Sequence, residues 1–180
     1  MAKSLRFVVP LVGFLAIVAL LAVGLTKDPR ALPSTLINKP TPEFSRPDLF
    51  DTSKLVTQEE LKGGVTLVNV WGTWCPTCRA EHGELLRLAT REKIKIVGFN
   101  WRDDRATAIA YLRRYGNPYG AVALVGETDP LIVNWGVVAA PETFIIDRQG
   151  TIRYKHTGAI SRGIWEQTLR PIVEKIKAES

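Results

Sequence analysis

The apolar positions of this chain follow three different rhythms. From Phe7 to Leu25, FVVPLVGFLAIVALLAVGL runs nineteen residues without a charge. At 1.5 Å per residue a helix of that length reaches across the hydrocarbon core of a bilayer. A cleaved signal peptide is the other reading, but its apolar stretch is about 7–15 residues, and the small-residue exit Ala22-Val23-Gly24 is weak. Residues 7–25 are therefore expected to be a retained transmembrane anchor, with Pro10 tolerated near one end. Lys3 and Arg6 precede it and assign residues 1–6 to the cytoplasm. The next stretch, TKDPRALPSTLINKPTPEF, contains four prolines and no clear period. It reads as an extended linker over residues 26–39, followed by a globular domain over 40–180.

Within that domain, runs of β-branched residues alternate with helical spacing. Val65–Trp71 and Ile94–Asn100 read as buried strands. Between them Thr77–Thr90 is expected to be a helix with Leu85 and Leu88 inward. Arg105–Tyr115 reads as a second helix, closed by Gly116 and Asn117-Pro118. Ala121–Val125 is a short strand, and DPLIVNWG a short helix with Pro130 in its first turn. Thr143–Asp147 and Thr151–His156 flank Arg148-Gln149-Gly150 as a hairpin. Ser161 caps a last helix in which Trp165, Leu169, Ile172, Val173 and Ile176 recur, with a kink expected at Pro171. This order predicts an α/β domain with a mixed central sheet flanked by helices.

The formal charge of +6 changes little. Residues 1–39 carry +4, from Lys3, Arg6, Lys27, Arg30 and Lys39 against Asp28, which leaves +2 for the other 141 residues. No basic run interleaves with aromatics, so a nucleic-acid partner is excluded.

The chain has only two cysteines, Cys75 and Cys78, two residues apart. Haem attachment would need histidine after the second, where Arg79 stands. A structural zinc site wants four ligands, and the chain offers Cys75, Cys78, His82 and a distant His156. A dithiol that cycles to a disulfide needs no further ligand. Cys75 lies just past a strand and Cys78 in the first turn of a helix, where free N–H groups and the helix dipole favour a thiolate. Copper held by Cys75, Cys78 and His82, as in a carrier for a membrane oxidase, is the alternative; otherwise His82 is a solvated or partly packed helix residue. Glu81 shares a helix face with Cys78, Leu85 and Leu88. From spacing alone it is either a desolvated proton carrier or a rim carboxylate favoured by the helix start.

The segments INKPTPEF, LVNVWGTWCPTCRAEH, VGFNWRDDR, YGNPYG and APETFIIDRQGTIRYKHTG together resemble the thioredoxin-like, membrane-tethered thiol:disulfide interchange proteins of cytochrome c maturation, the DsbE/CcmG type, related to TlpA and ResA. The resemblance covers nearly all of residues 36–175. It implies a thioredoxin-like fold and a redox-active disulfide between Cys75 and Cys78, with Cys75 as the exposed attacking thiolate and Cys78 as its resolving partner. It implies further that Pro141 faces the pair through a cis bond, and that Trp74, Pro76 and Pro141 border a substrate groove beside an insertion at Asn100–Arg105. Glu81 and Glu142 match the family's acidic residues. The implied activity is reduction of the disulfide of apocytochrome c or of its CcmH-type haem-ligation partner. The implied electron donor is a membrane protein of the DsbD or CcdA type. The implied setting is the bacterial inner membrane, with a monomeric domain in the periplasm and no cofactor or metal. Two departures stand out. Asn69 replaces the buried aspartate of general thioredoxins, and Val138, which cannot donate a hydrogen bond, stands where the family often has tyrosine.

Overall fold

The computed structural model describes residues 10–15, 17–21 and 35–179. The chain divides into two units, Met1–Leu32 and Pro33–Ser180. In the first, residues 10–15 and 17–21 are helical and their side chains exposed. Among the described residues no helix is long and apolar enough to cross a membrane. The remainder of the expected anchor, and the linker up to residue 34, lie outside the described residues.

The second unit is built on a five-stranded sheet. β3 (Thr66–Trp71) is central and fully buried, which accounts for its unbroken β-branched character. It is followed by α1 (Pro76–Thr90), β4 (Lys95–Trp101), α2 (Arg105–Tyr115) and β5 (Ala121–Val125), with the three strands parallel. After the short α3 (Pro130–Asn134), β6 (Glu142–Ile146) runs antiparallel to β3, and β7 (Ile152–Thr157) antiparallel to β6. The mixed sheet and its helices form the thioredoxin-like α/β arrangement that the pattern and the resemblance led us to expect.

Alternation along β3 divides the interior in two. Leu67 and Trp71 face a core with Cys75, Cys78, Leu85 and Leu88 of α1, Leu112 of α2, and Trp165 and Leu169 near the C-terminus. Val68 and Val70 face a second core of Phe44, Phe99, Trp135 and Phe144.

Three details depart from the sequence reading. The expected linker ends early: the Asn38 N–H donates to Ile152 O at 2.7 Å, and Ile152 returns a bond to Lys39 O at 2.9 Å. A small hairpin, β1 (Ser45–Pro47) with β2 (Leu55–Thr57), lies before the sheet and carries no repeating pattern. The last helix is not simply kinked at Pro171. Ser161 caps α4 (Arg162–Ile164), a π-helical stretch spans Trp165–Leu169, and α5 (Arg170–Ala178) continues from it. Pro171 lacks an N–H and its ring would meet the carbonyl four residues back; widening the preceding turn relieves both problems.

Candidate active site

The loop from β3 to α1 is fastened before the cysteines are reached. A Cβ on Gly72 would fall inside van der Waals contact with the Trp74 indole, so the close passage of that ring requires glycine. The Thr73 N–H and hydroxyl both donate to the Asp103 carboxylate at 2.6 Å, and Asn100 Nδ2 donates to it at 2.9 Å. Trp74 Nε1 donates to Trp101 O at 2.9 Å. The expected insertion at Asn100–Arg105 thus anchors the active loop as well as bordering it. Cys75 is the N-cap of α1: its Sγ accepts from the Cys78 N–H at 3.1 Å, with Pro76 at the first helical position. When the pair is reduced, that N–H and the helix start favour charge on the Cys75 sulfur.

Cys75 and Cys78 are joined as a disulfide. The Ala140–Pro141 peptide, just before β6, is cis, and Ala140 O lies 3.5 Å from Cys75 Sγ. One expectation fails here. Cys75 is not exposed in this oxidised form: it is 3% accessible, and Cys78 6%. The cause is the Ala140–Pro141 loop, which covers the sulfur from a position 65 residues away in sequence. Exposure falls instead on Trp74 and Pro76, the two neighbours of Cys75 in the chain, and on Val138. Pro141 itself is buried.

Glu81 is buried on the cysteines' side of the sheet. Its oxygens accept from the Ile160 N–H at 2.7 Å and Asn69 Nδ2 at 3.0 Å. Asn69 is held in turn: Nδ2 also donates to Thr143 Oγ1 at 3.1 Å, and Oδ1 accepts from Tyr119 OH at 2.9 Å. Burial raises the Glu81 carboxyl from 4.5 to about 7, against the opposing pull of its two donors. This decides against a rim carboxylate. Tyr119, Thr143 and the Ile160 amide were not singled out from the sequence. The only signal was Asn69 at a position where a lone buried amide demands partners.

The shift has a measurable consequence. A carboxyl whose pKa is raised on folding binds its proton more tightly in the folded state, so stability is highest below pH 4.5 and falls as pH rises towards 7. Relative to Glu81→Gln, which does not titrate, wild-type stability in urea should fall by about 2–3 kcal/mol between pH 5 and pH 8. Parallel pH profiles for the two proteins would exclude Glu81 as the group.

Glu142, the other candidate acid, is separated from this cluster. It follows Pro141, but strand alternation turns it to the opposite face from Thr143 and hence from Glu81. There it is fully buried and paired with Lys155 at 3.0 Å. Burial raises its pKa, and Lys155 opposes the rise.

The copper set does not assemble. His82 Nε2 is 3.0 Å from Gly116 O, and its ring lies edge-on to Tyr111. Among the described residues no group of three or more His, Cys, Asp or Glu is placed to hold a metal. His82 is a packed helix residue whose pKa burial lowers.

Comparison with known proteins agrees with this geometry. The Redoxin family model matches residues 36–170. The chain is 49% identical to the thiol:disulfide interchange protein DsbE of Allochromatium vinosum over 170 residues, covering 94% of this chain and 93% of that one. With DsbE of Escherichia coli K12 it shares 42% over 184 residues, covering 99% and 98%. Among solved structures, a putative DsbE of Chlorobium tepidum superposes with a TM-score of 0.66 at 21% identity, covering 78% of this chain and 96% of that one. A putative thioredoxin of Neisseria meningitidis superposes at 0.64 with 26% identity, covering 78% and 91%. A disulfide at a helix N-cap beside a cis-proline loop, in a chain that the Redoxin model matches over residues 36–170 and that aligns over 94% or more of its length with these two DsbE relatives, places it in the redoxin family, among the thiol:disulfide interchange proteins of the DsbE type.

Proposed function

We propose that this thiol:disulfide oxidoreductase works as a reductant, tethered to the bacterial inner membrane with its domain in the periplasm. Its clients are apocytochrome c or the haem-ligation protein that handles it. The observation that carries the reading is the Cys75–Cys78 disulfide at the N-cap of α1, in a chain aligned throughout with DsbE proteins.

In the reduced protein the Cys75 thiolate attacks one sulfur of the client disulfide. The client S–S bond breaks, a mixed disulfide forms, and the other client sulfur leaves as thiolate and is protonated. The Cys78 sulfur then attacks Cys75 Sγ, closing the bond found here and releasing the second client thiol. Two electrons pass to the client. Glu81, one turn beyond Cys78 and titrating near neutral pH, takes the Cys78 proton as that sulfur attacks. A membrane dithiol of the DsbD or CcdA type returns the electrons, which a compartment kept oxidising does not supply.

A strain lacking the protein is expected to accumulate c-type cytochromes without haem, on a haem-stained gel. Wild type or an added small dithiol should restore haem loading, and Cys75→Ser should not. Unchanged loading in the deletion strain would remove the cytochrome role. The protein should remain with carbonate-washed membranes, and a soluble mature form would remove the tether.

A further inference from the structure

On the surface between α1 and α2, beside the cysteines, two clefts of about 530 and 360 Å³ share Arg79, Tyr111 and Tyr115 and form one groove. It begins at Trp74, the neighbour of Cys75, and ends at Leu86. Its walls are aromatic, with Trp74 46% and Tyr115 53% exposed. Its charges are all of one sign. Arg79 and Arg114 line it, and no Asp or Glu does. Arg79 Nη1 reaches Thr73 O at 3.3 Å, and Arg114 lies 5.4 Å over the Tyr115 ring. Neither forms an ion pair among the described residues, whereas Arg102, close to Trp74, meets Glu127 at 2.7 Å.

Aromatic walls and guanidinium groups are the components of protein recognition surfaces, and an arginine fork without a carboxylate fits one brought by a partner. Both arginines line the half of the groove next to Trp74, and only Arg79 also lines the half that ends at Leu86. We propose that this groove receives the polypeptide flank of the disulfide partner, and selects a flank with a carboxylate within the first few residues beside the reacting cysteine. The proposal rests on exchange at Cys75 and adds to it the chemistry of the partner.

The test uses reduced Cys78→Ser and short peptides whose single cysteine is capped by mercaptoethanol. The peptides differ only at the third residue from the cysteine, as Glu, Gln or Lys. Cys75 attacks the peptide sulfur, the capping S–S bond breaks, and mercaptoethanol leaves as thiolate and is protonated; the peptide adduct is followed by mass spectrometry. Exposed charge pairs of this kind predict rates in the order Glu, Gln, Lys, with about fivefold between the extremes at low salt and near equality at about 0.5 M salt. Adding Arg114→Glu should erase or invert the order, with the rate towards uncharged hydroxyethyl disulfide unchanged. Equal rates for the Glu and Lys peptides would overturn the groove, as would a preference that survives both Arg114→Glu and Arg79→Gln. Failure to react with hydroxyethyl disulfide would instead overturn exchange at Cys75, and the groove's role with it.

Discussion

Cys78→Ser is expected to accumulate covalent adducts with its clients, while Cys75→Ser accumulates none and has no exchange activity. The first step needs only the Cys75 thiolate, which keeps its N-cap position and the N–H of residue 78. The second step needs a sulfur at residue 78. Resolution within the pair benefits from effective molarities of roughly 10⁵ M or more, so its loss should slow turnover by at least about a thousandfold. Non-reducing gels and mass spectrometry of the adducts read the result. Adducts carrying a C-x-x-C-H segment, or a membrane-bound haem-ligation protein, support the proposed clients. Capture of many unrelated exported proteins would make this a general exchanger. An adduct on Cys75→Ser would reverse the roles of the two cysteines.

Lys155→Met should produce the largest loss of stability of any single charge removal outside the cysteine loop. The Lys155 side chain is 10% accessible and the Glu142 side chain not at all. Lys155 Nζ also donates to Gly136 O at 2.7 Å, tying β7 to the segment after α3. Removing one member of a buried pair leaves the other charged and unsolvated, at a cost of about 3–5 kcal/mol. Glu142 can escape by taking a proton, and burial already raises its pKa. The loss should therefore be greatest near pH 8 and smaller near pH 5, and Glu142→Gln in the same chain should recover part of it. A loss below about 1 kcal/mol at pH 8 would mean that the pair contributes little.

The main elements were legible because each is decided by its own residues. β3 reads as a buried strand since it is covered on both faces, and α1 reads as a helix since Leu85 and Leu88 fall on one stripe. The β1–β2 hairpin was not legible, because three-residue strands with Leu55 exposed establish no alternation. At the site, the two cysteines and their place at a helix start could be read directly, and the burial of Cys75 could not. That burial is imposed by Ala140, brought in by the register of β6 against β3. Pro141 and Glu142 were found through family resemblance alone. Which face Glu142 takes depends on a one-residue alternation that resemblance does not convey. Glu81 was the intermediate case. Its helix face was readable, but its two donors, Asn69 (itself held by Tyr119) and Ile160, come together only when β3, the segment before β5 and the segment after β7 meet.

The Asp103 clamp on Thr73 has a bearing on how the site tolerates repeated use. Its two bonds to Thr73, and the bond from Trp74 to Trp101, involve no sulfur atom. Cleaving the Cys75–Cys78 bond therefore breaks none of the bonds that fix the loop's approach to the helix. The loop's approach to the helix is thus held apart from the exchange, while the Cys78 N–H and the helix start act on the Cys75 sulfur itself. Such a scaffold is suited to a shuttle, which must accept and deliver electron pairs indefinitely while its framework stays indifferent to the count.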